Sequence, residues 1–247
     1  MKPVLVITGA SRGIGAATAR LGAERSYAVC VNYLNGRCEA EALVDSICAA
    51  GGQACAVHAD VSVERNVFAL FEAADQMGPL AALVNNAGVL ESQGSLLDFD
   101  AARISRIMAT NVVGLMTCSR EAVRRMSTDL GGKGGAIVNV SSAAARSGSP
   151  GEYLDYAASK GAVDTFTRGL ALEVAAQGIR VNGVRPGFIQ TGIHARGGEP
   201  DRIERLKALI PLGRGGTPEE VAQAILWLLS REASYSTGSI LDVAGGR

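Results

Sequence analysis

The stretch "TGASRGIG", residues 8–15, stands between an apolar run, "VLVIT" at 4–8, and an alanine-rich one, "AATARLGAE" at 16–24. The first has β composition and the second helical composition, so Gly9, Gly13 and Gly15 mark a tight strand-to-helix turn. The same alternation then recurs along the chain. Further β-rich runs are "AVCVNY" (28–33), "ACAVHAD" (54–60), "AALVNN" (81–86), "GAIVNVSS" (135–142), "IRVNGVRP" (179–186) and "SILDV" (239–243). Helical periodicity fills the gaps, as at 40–49, 67–74, 101–126 and 153–176. Strands apolar on both faces, alternating with helices, predict an α/β fold: a doubly wound parallel sheet of seven strands with helices on both faces. No linker or repeat divides residues 1–247, so a single domain is expected.

Glycines at such a turn let the backbone approach a pyrophosphate, and the helix start behind them offers free N–H groups and a positive dipole end. The turn residues Gly9, Ser11, Arg12, Gly13, Ile14 and Gly15 are therefore candidates to line a dinucleotide in a Rossmann-type fold. Their spacing is G-x3-G-x-G, not G-x-G-x-x-G. An NAD site would place an acid at the end of the second strand, on the ribose 2′-hydroxyl. Here the chain reads "VNYLNGR", with Asn32 in the strand and Arg37 after it. Arg12 and Arg37 can both face a 2′-phosphate, which favours NADP(H) and leaves NAD(H) possible.

Twenty-four basic residues balance twenty-four acidic ones, without the Lys/Arg-rich run that would track nucleic acid. Five cysteines without a CxxC pair disfavour a disulfide framework or a zinc site and fit a reducing cytoplasm. Pro3–Ile7 is too short for a signal-peptide core, and no apolar segment approaches the ~20 residues that span a bilayer. The glycine- and proline-bearing stretch 187–216, around "EPDRIERLKALI", has the composition of a substrate lid.

"GEYLDYAASKG", residues 151–161, holds two tyrosines before a lysine. On a helix Tyr156 and Lys160 are i and i+4, about 6 Å apart along the axis, whereas Tyr153 is about 10.5 Å away. Tyr156 is the better acid, because a phenol titrating near ~10 needs a nearby cation to exchange protons near neutrality. Ser141 and Ser142 close the fifth strand at the sheet edge that carries the glycine turn, where a hydroxyl can hold a substrate oxygen. Strand alternation lets one of the two point into the site and leaves open which.

Taken together, "TGASRGIG", "NNAG" (85–88), Asn111, "VNVSS", "YAASK", "VNGVRPG" and "TGSILDVAGG" identify a chain that resembles the classical short-chain dehydrogenases/reductases over nearly its whole length. It is most similar in feel to bacterial NADP-linked 3-oxoacyl-carrier-protein reductases and glucose dehydrogenases. The resemblance implies hydride transfer between a nicotinamide and a carbonyl or secondary alcohol, with Tyr156 as general acid/base. Lys160 would lower the Tyr156 pKa and bind the nicotinamide ribose. Ser142, one residue further from Tyr156 than the family pattern, would be the serine, and Asn111 would hold a water linking the lysine to solvent. For the cofactor it implies Asp60 and Val61 at the adenine, Asn86, Ala87 and Gly88 at the adenosine ribose side, Ile189 and Thr191 at the nicotinamide carboxamide, and Pro186 and Gly187 as further cofactor-binding residues. It also implies a homotetramer built through the two long helices and the last strand.

Other residues compete for attention. His58 and His194 lack the neighbours of a metal site. Asp155 points about 100° from Tyr156 and is expected in solvent. Cys118 reads as core, and "NVS" at 139–141 as a glycosylation sequon without meaning inside a strand. Arg146, Tyr153, His194 and Arg196 are candidates to touch substrate. A non-catalytic dinucleotide sensor is the rival from another class, since fold alone does not settle function. An extended-type epimerase or dehydratase would have a different glycine spacing and a longer C-terminal part.

Overall fold

Strands rich in Val, Ile, Leu and Ala make the centre of this molecule because they can be buried on both faces. The structure is a computed structural model that describes the backbone of residues 1–247 and every side chain except those of His194 and Arg196. In chain order it has β1 (Val4–Ile7), α1 (Gly13–Glu24), β2 (Ala28–Tyr33), α2 (Arg37–Ala49), β3 (Gln53–His58), α3 (Glu64–Asp75) and β4 (Leu80–Asn85). Then come α4 (Ala101–Met108), a π turn (Ala109–Gly114), α5 (Leu115–Met126), β5 (Gly135–Val140), α6 (Ala144–Ser147) and α7 (Leu154–Val174). The chain finishes with β6 (Ile179–Pro186), α8 (Ile193–Arg196), α9 (Arg202–Leu206), α10 (Pro218–Leu229) and β7 (Ile240–Val243).

All seven strands are parallel, in the order β3-β2-β1-β4-β5-β6-β7. Side chains alternate between two cores. Leu5 and Ile7 pack with Val29, Val31, Val138, Ile225 and Leu226 on the side of α1 and α10. Val4 and Val6 pack with Phe71, Cys118, Met126, Ile137 and Val174 on the side of α3, α5 and α7. The chain winds outward from β1 to β3, then returns to β4 on the other side of β1. That reversal opens a crevice beyond the carboxyl ends of β1 and β4, where such sheets bind ligands.

Three details depart from the sequence reading. The helical run 101–126 is interrupted by the π turn, which carries Asn111. α7 begins at Leu154, leaving Tyr153 as the residue before it, with φ −140°. Asp155 is not solvated: it is 6% exposed and accepts from Arg103 Nε at 2.7 Å. The helix turns it away from Tyr156, as expected, but toward α4 and not toward water.

Beneath the crevice runs a chain of buried polar groups. Asn85 Nδ2 donates to Ser119 Oγ and Asn139 Oδ1, and Asn139 Nδ2 donates to Thr167 Oγ1, so β4, β5, α5 and α7 are tied together. Asn139 is fully buried, which takes the sequon out of reach. Phe71 is also fully buried, among the α3-side apolar residues. Phe71→Ala is expected to lower unfolding free energy by about 3–5 kcal/mol in urea titrations followed by circular dichroism.

Candidate active site

The site begins with the turn after β1. Asn86, just past β4, donates from Nδ2 to the carbonyls of Thr8 and Gly9, both at 2.9 Å. Thr8 Oγ1 in turn accepts the backbone N–H of Asn86 and of Ala87 at 3.0 Å. From the other side, Gly9 N donates to Asn32 Oδ1 at 3.1 Å, while Asn32 Nδ2 holds the carbonyls of Val57 and Ala59. The turn is thus clamped between the ends of β2, β3 and β4.

No side chain fits within this clamp. Gly9 has φ +62°, and a Cβ there would lie 2.8 Å from Ala87 Cα. At Gly15 a Cβ would lie 2.6 Å from Asn86 Nδ2 and 2.8 Å from Ala10 Cα. Gly13, φ +56°, packs against Thr191 Cγ2. The outcome is a bare backbone cradle at the start of α1, the form that receives a dinucleotide pyrophosphate. The cleft above it has a volume of about 770 Å³, and Asp60, Val61, Gly88, Pro186, Gly187, Ile189 and Thr191 are among the residues that line it. The residues present fit the cofactor.

Of the expected cofactor residues, Gly9, Ser11, Arg12, Gly13, Ile14, Asn32, Ala87 and Asn86 line the cleft, while Gly15 supports it from behind. The side chains of Asn32 and Asn86 are spent on the clamp, and Ser11 Oγ donates to the Asn35 carbonyl. Arg37 does not line the cleft. Its guanidinium pairs with Glu41 at 2.7 Å on the exposed first turn of α2, an i,i+4 pair that needs no ligand. Arg12 does line it, and its Nη2 lies over the β2–α2 turn, 3.3 Å from where a Gly36 Cβ would be. Asp60 uses Oδ1 to accept from Ser62 N and Oγ, which fixes the turn after β3.

At the middle of the cleft Ser142, Tyr156 and Lys160 come together. β5 ends at Val140, so the two serines diverge just past it. Ser141 turns inward, 3% exposed, and donates to the Lys160 carbonyl at 3.2 Å. Ser142 faces the cleft beside Tyr156, which also lines it, and its Oγ accepts from Ala144 N at 3.1 Å. Lys160, 3% exposed, donates from Nζ to the Val140 carbonyl at 2.8 Å and sits 5.6 Å from the centre of the Tyr156 ring. Asn111 is fully buried beneath them. Its Nδ2 donates to Ser159 Oγ and the Val89 carbonyl, and its Oδ1 accepts from Val89 N. A Cβ on Gly88 would lie 3.6 Å from both Asn111 Oδ1 and Lys160 Nζ, so the π turn, β4 and α7 converge here.

Burial governs both titrations. It pushes the half-buried Tyr156 phenol above its ordinary value, with the neighbouring Ser142 hydroxyl pulling it back. Burial also lowers the Lys160 ammonium to about 8, with Asp164 opposing the shift. Cys118 behaves as a core thiol, pushed up to about 12 by burial and then by Glu121. Among the described residues no cluster of His, Cys, Asp and Glu could hold a metal ion.

The far end of the cleft is where the sequence was least informative. Tyr153 is 4% exposed; its hydroxyl donates to the Gly197 carbonyl at 3.0 Å. Arg202 of α9 lies over the rings of both Tyr153 and Phe188 and pairs with Glu152 and Glu199. Arg247 covers Phe188 from the chain end. Only the charged, helical character of "DRIERL" hinted at these contacts. Arg146 lines the cleft while paired with Asp242 at 2.6 Å. The expected substrate contacts of His194 and Arg196 fall on side chains outside the described ones.

Residues 9–247 match the family described as enoyl-(acyl carrier protein) reductase. An Escherichia coli protein described as the uncharacterized oxidoreductase YgfF is 59% identical over 245 residues, covering 99% of each chain. The cis-4-hydroxycyclohexanecarboxylate dehydrogenase of Sinomonas cyclohexanicum is 42% identical, over 98% of this chain and 95% of its own. Among solved structures, the 3-ketoacyl-(acyl-carrier-protein) reductase of Brucella melitensis, complexed with NADH, superposes with a TM-score of 0.91 at 32% identity, over 99% of this chain and 98% of that one. The chain therefore belongs to the short-chain dehydrogenase/reductase family. It is an oxidoreductase of hydroxyl or carbonyl substrates, in a family that uses NAD(P)(H).

Because a Cβ at Gly15 collides with backbone as well as with Asn86, Gly15→Val is expected to weaken NADPH binding at least tenfold in isothermal titration calorimetry. Binding at the parent affinity would show that the clamp does not shape the cradle.

Proposed function

We propose that the chain is an NADP(H)-dependent oxidoreductase that interconverts a carbonyl and a secondary alcohol, with Tyr156 as general acid/base. The observation that carries this reading is that Ser142, Tyr156 and Lys160 line one cleft, with Lys160 Nζ 5.6 Å from the centre of the Tyr156 ring. When bound, the dinucleotide supplies or accepts a hydride at nicotinamide C4. Ser142 and Tyr156 together hold the substrate oxygen, and Tyr156 gives the proton as negative charge builds there, or takes it in the reverse direction. Lys160 stabilises the resulting phenolate, and Asn111 keeps the floor of the site rigid through Val89 and Ser159. Although the matching family is described by an enoyl reduction, the carbonyl reading is supported by a relative named for a hydroxyl group.

NADP(H) is favoured by Arg12, the guanidinium that lines the adenosine end, and by the want of a carboxylate in the 31–37 stretch, "VNYLNGR". Residues 187–216 serve as the lid over the substrate, with α9 packed onto Tyr153. The exposed apolar residues Met116 of α5, Leu172 of α7 and Leu241 of β7 support a homotetramer assembled through those helices and the last strand.

Tyr156→Phe is expected to lower kcat by 10²–10⁴-fold, the span of a lost general acid/base, while leaving NADPH affinity within about twofold. Normal turnover in that variant would end the proposed mechanism. Arg12→Ala is expected to raise KM for NADPH about tenfold or more and to spare NADH, whereas Arg37→Ala changes neither. Because the Tyr156 phenol sits above its ordinary value, alcohol oxidation, which needs the phenolate, should accelerate with rising pH from roughly 7 to 9. Carbonyl reduction, which needs the phenol, should not; steady-state rates in both directions across that range check the sign.

A further inference from the structure

Asp164 carries a carboxylate that the proposed reaction does not use. It lies on α7 one helical turn beyond Lys160, about 40° around the axis from it, and is 6% exposed. Its Oδ2 accepts from Arg185 of β6 at both Nε, 2.9 Å, and Nη2, 2.8 Å. Oδ1 is buried and meets no hydrogen-bond donor among the described residues. A buried carboxylate with one bare oxygen is costly, and so is a buried ammonium. Both lie on the same face of α7, and helical side chains lean toward the N-terminus, which tilts Asp164 toward the turn that carries Lys160.

The charged and titratable groups around Lys160 can be named. Tyr156 and Asp164 flank it on α7, and Arg185 faces it from β6 through Asp164. Behind Arg185 stands Asp242 of β7, 3.4 Å from its Nη1. Asp164 is therefore the acid able to offset the burial of the ammonium, and Arg185 competes for the same carboxylate. The burial-driven fall of the Lys160 pKa, opposed by Asp164, runs in the direction this layout requires.

We propose that Asp164 is a positioning residue that keeps the buried Lys160 ammonium charged, and that Arg185 sets how much of the Asp164 charge Lys160 feels. The consequence for turnover rests on the reading of Lys160 as part of the catalytic set; the charge coupling itself does not.

The chain has four lysines, Lys2, Lys133, Lys160 and Lys207, so the full-length protein labelled with [13C]lysine gives a small set of ε-carbon signals to follow against pH. The Lys160 signal is assigned by its loss in Lys160→Gln. Asp164→Asn is expected to move the Lys160 titration down by roughly one pH unit, since it removes a negative neighbour and leaves Arg185 unbalanced. Arg185→Gln is expected to move it up by a comparable amount, and the double variant to bring it back near the parent value. Asp164→Glu, which keeps the charge, should titrate near the parent and guards against a variant that does not fold. A general loosening of the site would shift both single variants the same way, so shifts of one sign, or no shift in Asp164→Asn, overturn the proposal. If the lysine signals move as expected while the pH limbs of carbonyl reduction stay fixed, the coupling stands and the catalytic role given to Lys160 fails.

Discussion

The architecture of the site hangs on the side chain of Asn86. By donating to the carbonyls of Thr8 and Gly9 it pins the β1–α1 turn to the end of β4, across the point where the strand order reverses. Thr8 Oγ1 returns the favour by accepting two N–H groups from the Asn86–Ala87 segment. Without this pin the crevice between β1 and β4 would be lined by unpaired backbone groups, a costly condition in a buried setting. With it, the turn presents Gly9 and Gly13 to the cleft and the chain after β4 is aimed past Gly88 toward Lys160.

From that pinned floor the rest follows by burial. Lys160 can be dry because β5 and its own helix give it a carbonyl, a ring and a carboxylate: Val140, Tyr156 and Asp164. Ser141 and Ser142 divide their labour across a single peptide. One anchors the Lys160 backbone, and the other faces the cleft that Tyr156 lines. The π turn brings Asn111 underneath, a local widening of the helix that lets one amide bridge Val89 and α7. π turns are frequent at functional sites for this reason.

How much of this the residues announced depends on the range of the interaction. The seven strands were legible because apolar runs of four to eight residues bounded by glycine have few other uses. Tyr156 was separable from Tyr153 because the helix rise fixes which phenol lies one turn from Lys160. Arg37 pairs with Glu41 on its own helix, a contact of short range that the sequence contains. Asp155 was misread as solvated because its partner Arg103 is far along the chain, on α4. The same long range hid the Asp164–Arg185 pair and the stacking of Arg202 on Tyr153 and Phe188. Strand alternation could say that Ser141 and Ser142 part, and only the packing of α7 against β5 could say which one turns inward.

The central claim is that this cleft passes a hydride to a carbonyl carbon while Tyr156 handles the proton. Its most direct test is to reduce a cyclic ketone with NADPH deuterated at nicotinamide C4, in ordinary water, and to locate the label in the product by mass spectrometry and NMR. The account predicts deuterium on the carbinol carbon and a hydroxyl hydrogen drawn from solvent. A product alcohol whose carbinol carbon carries no deuterium would contradict it.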